Sequence, residues 1–189
     1  MAAWEAINSL TVENDTTTSV TFSSIPQTYL HLELTYTMTN FDNSAFVHTK
    51  YNGNTGNYQV GTAYGAETSK LNYKYAAESA IPTYGSSYGN GGVNDFAVCR
   101  YLIYDYTDTN KQKCQFGYSS GQYTASGMTI AQNQMFAPFF GAGPYVYIQS
   151  GGYVADDAAV TSLTLENAQG SSKYFGRNSR FNLYGLKSS

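Results

Sequence analysis

Charge is what this sequence has least of. Asp, Glu, Lys and Arg make up 12% of its 189 residues, about half the usual share of roughly 25%. Ten Lys plus Arg against 13 Asp plus Glu leave a net charge of −3. No nucleic acid is expected as a partner, because affinity in such grooves comes mostly from neutralised phosphates. Long apolar runs are missing too: no stretch reaches the roughly 18 residues that a membrane helix needs. The opening MAAWEAINSL has neither the charged start nor the apolar core of a secretory signal, so the expectation is a chain made in a cytoplasm. There are only two cysteines, Cys99 and Cys114, and they lack metal-site spacing. They flank a hairpin whose natural turn centre, Thr107 to Asn110, puts them about three residues out of register. Free buried thiols are expected of both in a reducing compartment.

Leu, Ile, Val and Phe are also scarce, 35 of 189 residues, just under the level of about 20% that warns of disorder when net charge is high. Here the net charge is small and 19 tyrosines supply the missing apolar area, so disorder is excluded. Tyrosine favours pleated, half-buried surfaces, and its hydroxyl needs a partner or water. A chain rich in Tyr, Thr, Ser, Asn and Gly reads as all-β with much contact surface. Its size suits one domain spanning residues 1–189, with residues 1–10 as an arm or edge strand. Such a chain buries roughly 70% of its unfolded surface and needs no metal or disulfide to fold.

Period-two alternation is the dominant pattern. In YLHLELTYTM, Leu30, Leu32, Leu34, Tyr36 and Met38 share one face, while His31, Glu33, Thr35 and Thr37 share the other. That is a strand with one wet side, as in an antiparallel sheet. TSVTFSS before it puts Val20 and Phe22 together, and Ile25-Pro26 ends the run. Further strands are expected at 45–51, 69–75, 95–106, 111–118, 145–149, 160–166 and 180–186. Turn clusters such as YGSSYGNGGVN separate them, which suggests a sandwich or a barrel. MTIAQNQMF, Met128 to Phe136, is the one stretch that suggests a helical turn. The hairpin YLIYDYTDTNKQKCQFGY reads as two long strands near the middle of a sheet. Lys111 and Lys113 lie near Asp105 and Asp108 in its turn, as solvated, screened charges.

Catalytic templates fail one by one. YNGNTGNYQV and YGNGGVN have no lysine after their glycines, as a Walker loop requires, and no helix follows either, as a dinucleotide fold requires. His31 and His48 are far apart, and His31 on its polar face calls for solvent or a neighbouring hydrogen bond rather than a metal. Asp156, Asp157 and Glu166 would hold calcium only if their loops converged, and a surface turn is the simpler reading. No acid pair stands in a glycosidase context. The expectation is a protein that is not an enzyme and has no cofactor or metal.

TSVTFSSIPQTYLHLELTY, YNGNTGNYQ and the closing GRNSRFNLYGLKSS change the picture. Together they resemble tailed-phage virion proteins, in which a TFssIPqtY opening, an fNgdtg.nY turn and an LYGi ending recur. The motifs fall on Thr21–Leu34, Tyr51–Tyr58 and Ser179–Leu186, with Gly53-Asn54 where the family often has aspartate after glycine, and Leu186 in place of Ile. The resemblance implies an antiparallel jelly-roll-like β-sandwich and a place on the phage particle, with YNGNTGNYQ as a turn between strands. It further implies a capsid decoration protein, assembled in the host cytoplasm and docked on the outside of the capsid. Its partners would be the major capsid protein and copies of itself, as a homotrimer. Trp4, Ile7 and Leu10 are the candidate interface residues, although Trp4 equally suits a plain core position in a first strand. The alternative is a tail or head fibre adhesin that binds host carbohydrate through exposed tyrosines.

Overall fold

The computed structural model describes residues 3–39, 47–56, 58–66, 69–83, 96–121, 145–153, 157–167 and 174–187. Within them lie β1 (Trp4–Thr11), β2 (Ser19–Phe22), β3 (His31–Thr39), β4 (Val47–Tyr51), β5 (Tyr58–Ala66), β6 (Ser69–Glu78), β7 (Ile81–Thr83), β8 (Phe96–Tyr104), β9 (Cys114–Gly121), β10 (Tyr145–Tyr153), β11 (Leu163–Asn167) and β12 (Arg180–Leu186). Every pairing is antiparallel. The chain is an all-β, single-domain sandwich.

The strands form a large sheet in the order β1-β12-β3-β8-β9-β10-β5-β6 and a small one in the order β2-β11-β4-β7. Without β5, β6, β9 and β10, the sheets reduce to β1-β12-β3-β8 facing β2-β11-β4-β7. That is the strand order of an eight-strand jelly roll, two four-stranded sheets with Greek-key connections. The hairpin β5–β6 is inserted between β4 and β7, and β9–β10 between β8 and β11. The two insertions pair with each other through β10 and β5, so both lengthen the large sheet beyond β8.

The core follows from the alternation. Leu32, Leu34, Tyr36 and Met38 of β3 pack with Phe22, Val47, Tyr51, Leu163 and Leu165 of the small sheet and with Tyr101, Ile103, Phe181 and Leu183 of the large one. Tyr36 lies between the rings of Tyr101 and Phe181, at centroid distances of 6.2 and 5.5 Å. Leu30 departs from the expected apolar face. It precedes β3 and is 47% exposed.

Other departures are as informative. The strand at 180–186 has its expected bounds, but β5 and β7 were not foreseen. β5 alternates Tyr58, Val60, Thr62 and Tyr64 with Gln59, Gly61, Ala63 and Gly65, but its glycines read as turn residues in the sequence. β7 contains Pro82 and lies at a sheet edge, where a missing N–H costs nothing. The hairpin strands β8 and β9 are central, as expected. Their register sets Cys114 opposite Tyr104 and Cys99 opposite Ser119, and only Cys99 is buried, Cys114 being exposed. The stretch Met128 to Phe136 lies outside the described residues.

Candidate functional site

The motifs shared by the two ends of the chain are in contact. Tyr29, from IPQTY, lies flat on Gly185, from LYGL; a Cβ at Gly185 would come within 2.3 Å of the Tyr29 ring. The Tyr29 hydroxyl donates to Glu5 at 3.3 Å, and Glu5 pairs with Lys187 at 2.6 Å, which holds the Glu5 carboxyl below its ordinary range. Tyr106 donates from its hydroxyl to the Pro26 carbonyl. Gln27 Nε2 donates to the carbonyls of Ile25 at 2.8 Å and Val160 at 3.0 Å. The IPQTY segment is thereby tied to the strand at the far end of the sequence.

The turn in YNGNTGNYQ is structural. Asn52 and Gly53 both have positive φ, 51° and 70°, and Asn54 N donates to Tyr51 O at 2.9 Å. Two central residues at positive φ are the mark of a primed turn, which Asn-Gly favours. The turn carries the chain from β4 in the small sheet to β5 in the large one. The Asn52 side chain reaches out of it: Nδ2 donates to Ala159 O at 2.9 Å, and Oδ1 accepts from Thr161 N at 2.8 Å and Ser162 N at 3.1 Å.

Lys113 was expected in solvent beside two aspartates and is fully buried instead. Its ammonium donates to the backbone carbonyls of Asp108, of Lys111 at 2.8 Å and of Asp157 at 3.2 Å. Lys111 alone keeps the expected role, pairing with Asp105 and Asp108 at 3.2 Å each. The other suggested ligands are not gathered. Glu166 pairs with Lys50 across the small sheet, Asp156 lies outside the described residues, and no group of three His, Cys, Asp or Glu converges among the described residues. His31 Nδ1 accepts from Asp105 N at 3.1 Å, and its ring meets Tyr104 edge-on at 5.2 Å. His48, on β4, stands opposite Glu166 and Pro82.

The two outer faces of the sandwich differ in chemistry. On the small sheet, Thr21 and Thr164 share a hydrogen bond of 3.1 Å, and Lys50 pairs with Glu166 beside His48. That face is polar and satisfied. On the large sheet, one row crosses the strands through Trp4, Leu186 and His31, and then through Tyr104 and Cys114. The next row runs through Ala6, Tyr184, Glu33, Leu102 and Phe116. Trp4 is 41% exposed, Tyr104 38% and Phe116 47%. Glu33 accepts from Arg100 Nη2 at 2.6 Å, a bond that raises the arginine above its ordinary value. The third row, Ser9, Asn182, Thr35, Arg100 and Tyr118, is mostly polar, with Ser9 donating to Asn182 at 2.7 Å.

The three candidate interface residues divide. Trp4 joins the outer row on edge strand β1, whereas Ile7 and Leu10 are half-buried and pack against the core. Ile7, at an odd spacing from Trp4, faces inward by plain alternation, and the bulge between Ala6 and Asn8 turns Leu10 inward as well. Tyr104, Leu102, Phe116 and Tyr184 belong to the same outer surface and were not singled out from the sequence. The available signal was that both faces of YLIY carry large apolar groups, which a strand with one wet side does not require.

No family model matches this chain, and no curated protein matches it. Among solved structures, the chain is similar to the marine PL-14 alginate lyase from Aplysia kurodai, at 10% identity over 94% of this chain and 81% of that one, with a TM-score of 0.21. It is also similar to an alginate lyase from Alteromonas sp. 272, at 11% identity over 90% and 79% of the two chains, with a TM-score of 0.12. Likenesses of this size carry no argument about activity.

Proposed function

We propose that this chain is a bacteriophage virion structural protein that docks on the outside of an assembled capsid, binds the major capsid protein and stabilises the shell. The observation that carries the reading is the contrast between the two outer faces: one polar and internally paired, the other presenting Trp4, Tyr104 and Phe116 to solvent. Large rings on an outer face suit contact with another surface, because aromatic residues are enriched in the cores of protein interfaces. The motif resemblance supports the same reading, and two of the motifs that carry it meet at Tyr29 and Gly185. Repeated contacts of a standard size, about 1,600 Å² each, tie neighbouring shell subunits together through effective concentration. The test is a particle lacking this protein: reduced resistance to heat and osmotic shock is expected, and unchanged resistance removes the stabilising role.

A second reading is a fibre adhesin for host carbohydrate. The exposed rings of Trp4, Tyr104 and Phe116 favour it, as flat apolar platforms with polar neighbours. Mass spectrometry of separated heads and tails divides the two. Copies in large number on heads support decoration; a handful on tails, with specific glycan-array binding, support the adhesin.

A further inference from the structure

We propose that Asn52 is a latent site of self-modification, a deamidation site that the folded chain keeps closed and that opens when the segment 157–162 lifts from the β4–β5 turn. The site stands apart from the virion reading and holds or fails without it.

The sequence supplies the reactive pair. In Asn52-Gly53 the backbone nitrogen of Gly53 can attack Cγ of the Asn52 carboxamide, because glycine has no Cβ to obstruct the approach. The carboxamide nitrogen leaves as ammonia, taking the Gly53 amide proton with it, and a succinimide ring closes. Water then opens the ring to aspartate or to isoaspartate. Water is the only co-reactant.

The fold obstructs the attack twice. Ring closure needs Cβ of Asn52 and N of Gly53 eclipsed about the Cα–C bond. Asn52 has φ of 51°, in the left-handed region, where ψ of about +47° sets those two atoms nearly opposite. The turn bond from Asn54 N to Tyr51 O, at 2.9 Å, holds that conformation. The carboxamide is pinned as well. Its nitrogen donates to Ala159 O at 2.9 Å, and its oxygen accepts from Thr161 N at 2.8 Å, Thr161 Oγ1 at 3.1 Å and Ser162 N at 3.1 Å. Reacting atoms must come within about 3.5 Å in an aligned pose, and Asn52 reaches that pose only after these bonds break.

What holds the segment sets how often they break. Gln27 Nε2 donates to Val160 O at 3.0 Å, and Lys113 binds Asp157 O at 3.2 Å. Val160 N donates to Tyr106 O at 2.8 Å, and Ile25 N to Thr161 O at 3.0 Å. Asn52 lies at the surface, so lifting this one segment frees it without global unfolding. The step runs one way. Aspartate at position 52 sets a carboxylate oxygen against the Ala159 carbonyl, where an N–H had donated. Isoaspartate adds a carbon to the main chain of the turn. A chain that has opened and reacted docks the segment less tightly afterwards.

Peptide mapping by mass spectrometry reads the outcome, on the full chain held in mildly alkaline buffer, folded or in concentrated urea. The tryptic peptide from Tyr51 to Lys70 has one Asn-Gly pair, and Asn90-Gly91 is the other in the chain. In urea the two pairs should convert at similar rates. In the folded chain Asn52 should convert at least about tenfold more slowly, because only the opened fraction reacts. Gln27→Ala should narrow that gap severalfold and leave the urea rate unchanged, while Ser9→Ala, on the outer face of the large sheet, should leave both unchanged. Amide exchange at Thr161 and Ser162 in the wild type decides the matter if near-UV dichroism shows Gln27→Ala misfolded: these amides should be protected by a factor similar to that of Asn52. Equal rates for Asn52 in folded and unfolded chain overturn the proposal. So does protection that a folded Gln27→Ala chain retains in full, or free exchange at Thr161 and Ser162 while Asn52 stays protected.

Discussion

The phenolic hydroxyl of Tyr51, on β4, donates to Oε1 of Gln115, on β9, at 2.9 Å, and so joins the small sheet to the large one inside the core. Both side chains are fully buried. Tyr51→Phe keeps the ring and removes the bond, leaving the buried Gln115 carbonyl oxygen without that donor. The expected loss is about 1–3 kcal/mol of unfolding free energy, read as a lower urea midpoint with an unchanged slope.

The same hydroxyl makes the fold sensitive to alkali. Burial, then the neighbouring Tyr58 and Cys114, push the Tyr51 pKa well above its ordinary value of 10.0, and burial also raises Tyr106. The folded chain therefore holds these protons after the unfolded chain has released them. Their contribution is complete below about pH 10 and is lost as pH rises beyond it. Urea midpoints should fall between pH 9.5 and about 11.5, and Tyr51→Phe should flatten that fall. An identical slope in the variant would remove Tyr51 from the explanation.

Gly185→Ala should be among the most damaging small changes in the chain. The added methyl would lie 2.3 Å from the Tyr29 ring, and the ring cannot retreat without disturbing the bonds from Pro26 to Tyr29. Overpacking of this kind costs about 1–3 kcal/mol. The pair Gly185→Ala with Tyr29→Leu should recover part of the loss in thermal denaturation, which independent sites would not do.

Lys113→Met removes an ammonium held by three backbone carbonyls. A hydrogen bond to a charged group contributes about 1.5–3 kcal/mol, so a loss on the order of 2 kcal/mol is expected. Amide exchange should speed up at residues 105–112 and near Asp157 and leave β3 unchanged. Uniform acceleration would mean that Lys113 supports the whole fold rather than this loop.

Much of the architecture was legible where local pattern and burial agree. The alternation in HLELTYTM specified β3 and its buried face, because one wet side imposes period two. Asn-Gly in YNGNTGNYQ specified a turn, because few residues tolerate two positive φ values in succession. What was not legible depends on distant partners. β5 does alternate large and small residues, but its glycines read as turn residues, and its pairing with β10 joins segments far apart in the chain. The burial of Lys113 depends on a carbonyl 44 residues away. The outer site was half visible: Trp4 was identified, but Ile7 falls on the other face by alternation alone, and Leu10 does so because of a bulge that a count of two cannot show.

The position of β12 has a consequence for how the molecule forms. It lies between β1 and β3, as the wedge between two strands from the start of the chain. Until Leu186 is in place, β1 has no ladder partner and β3 keeps a bare row of amides and carbonyls. Pairing across such separations is slow to nucleate, and a chain cut short before β12 presents an open template to its neighbours. Synthesis must therefore pass β12 before the large sheet can close.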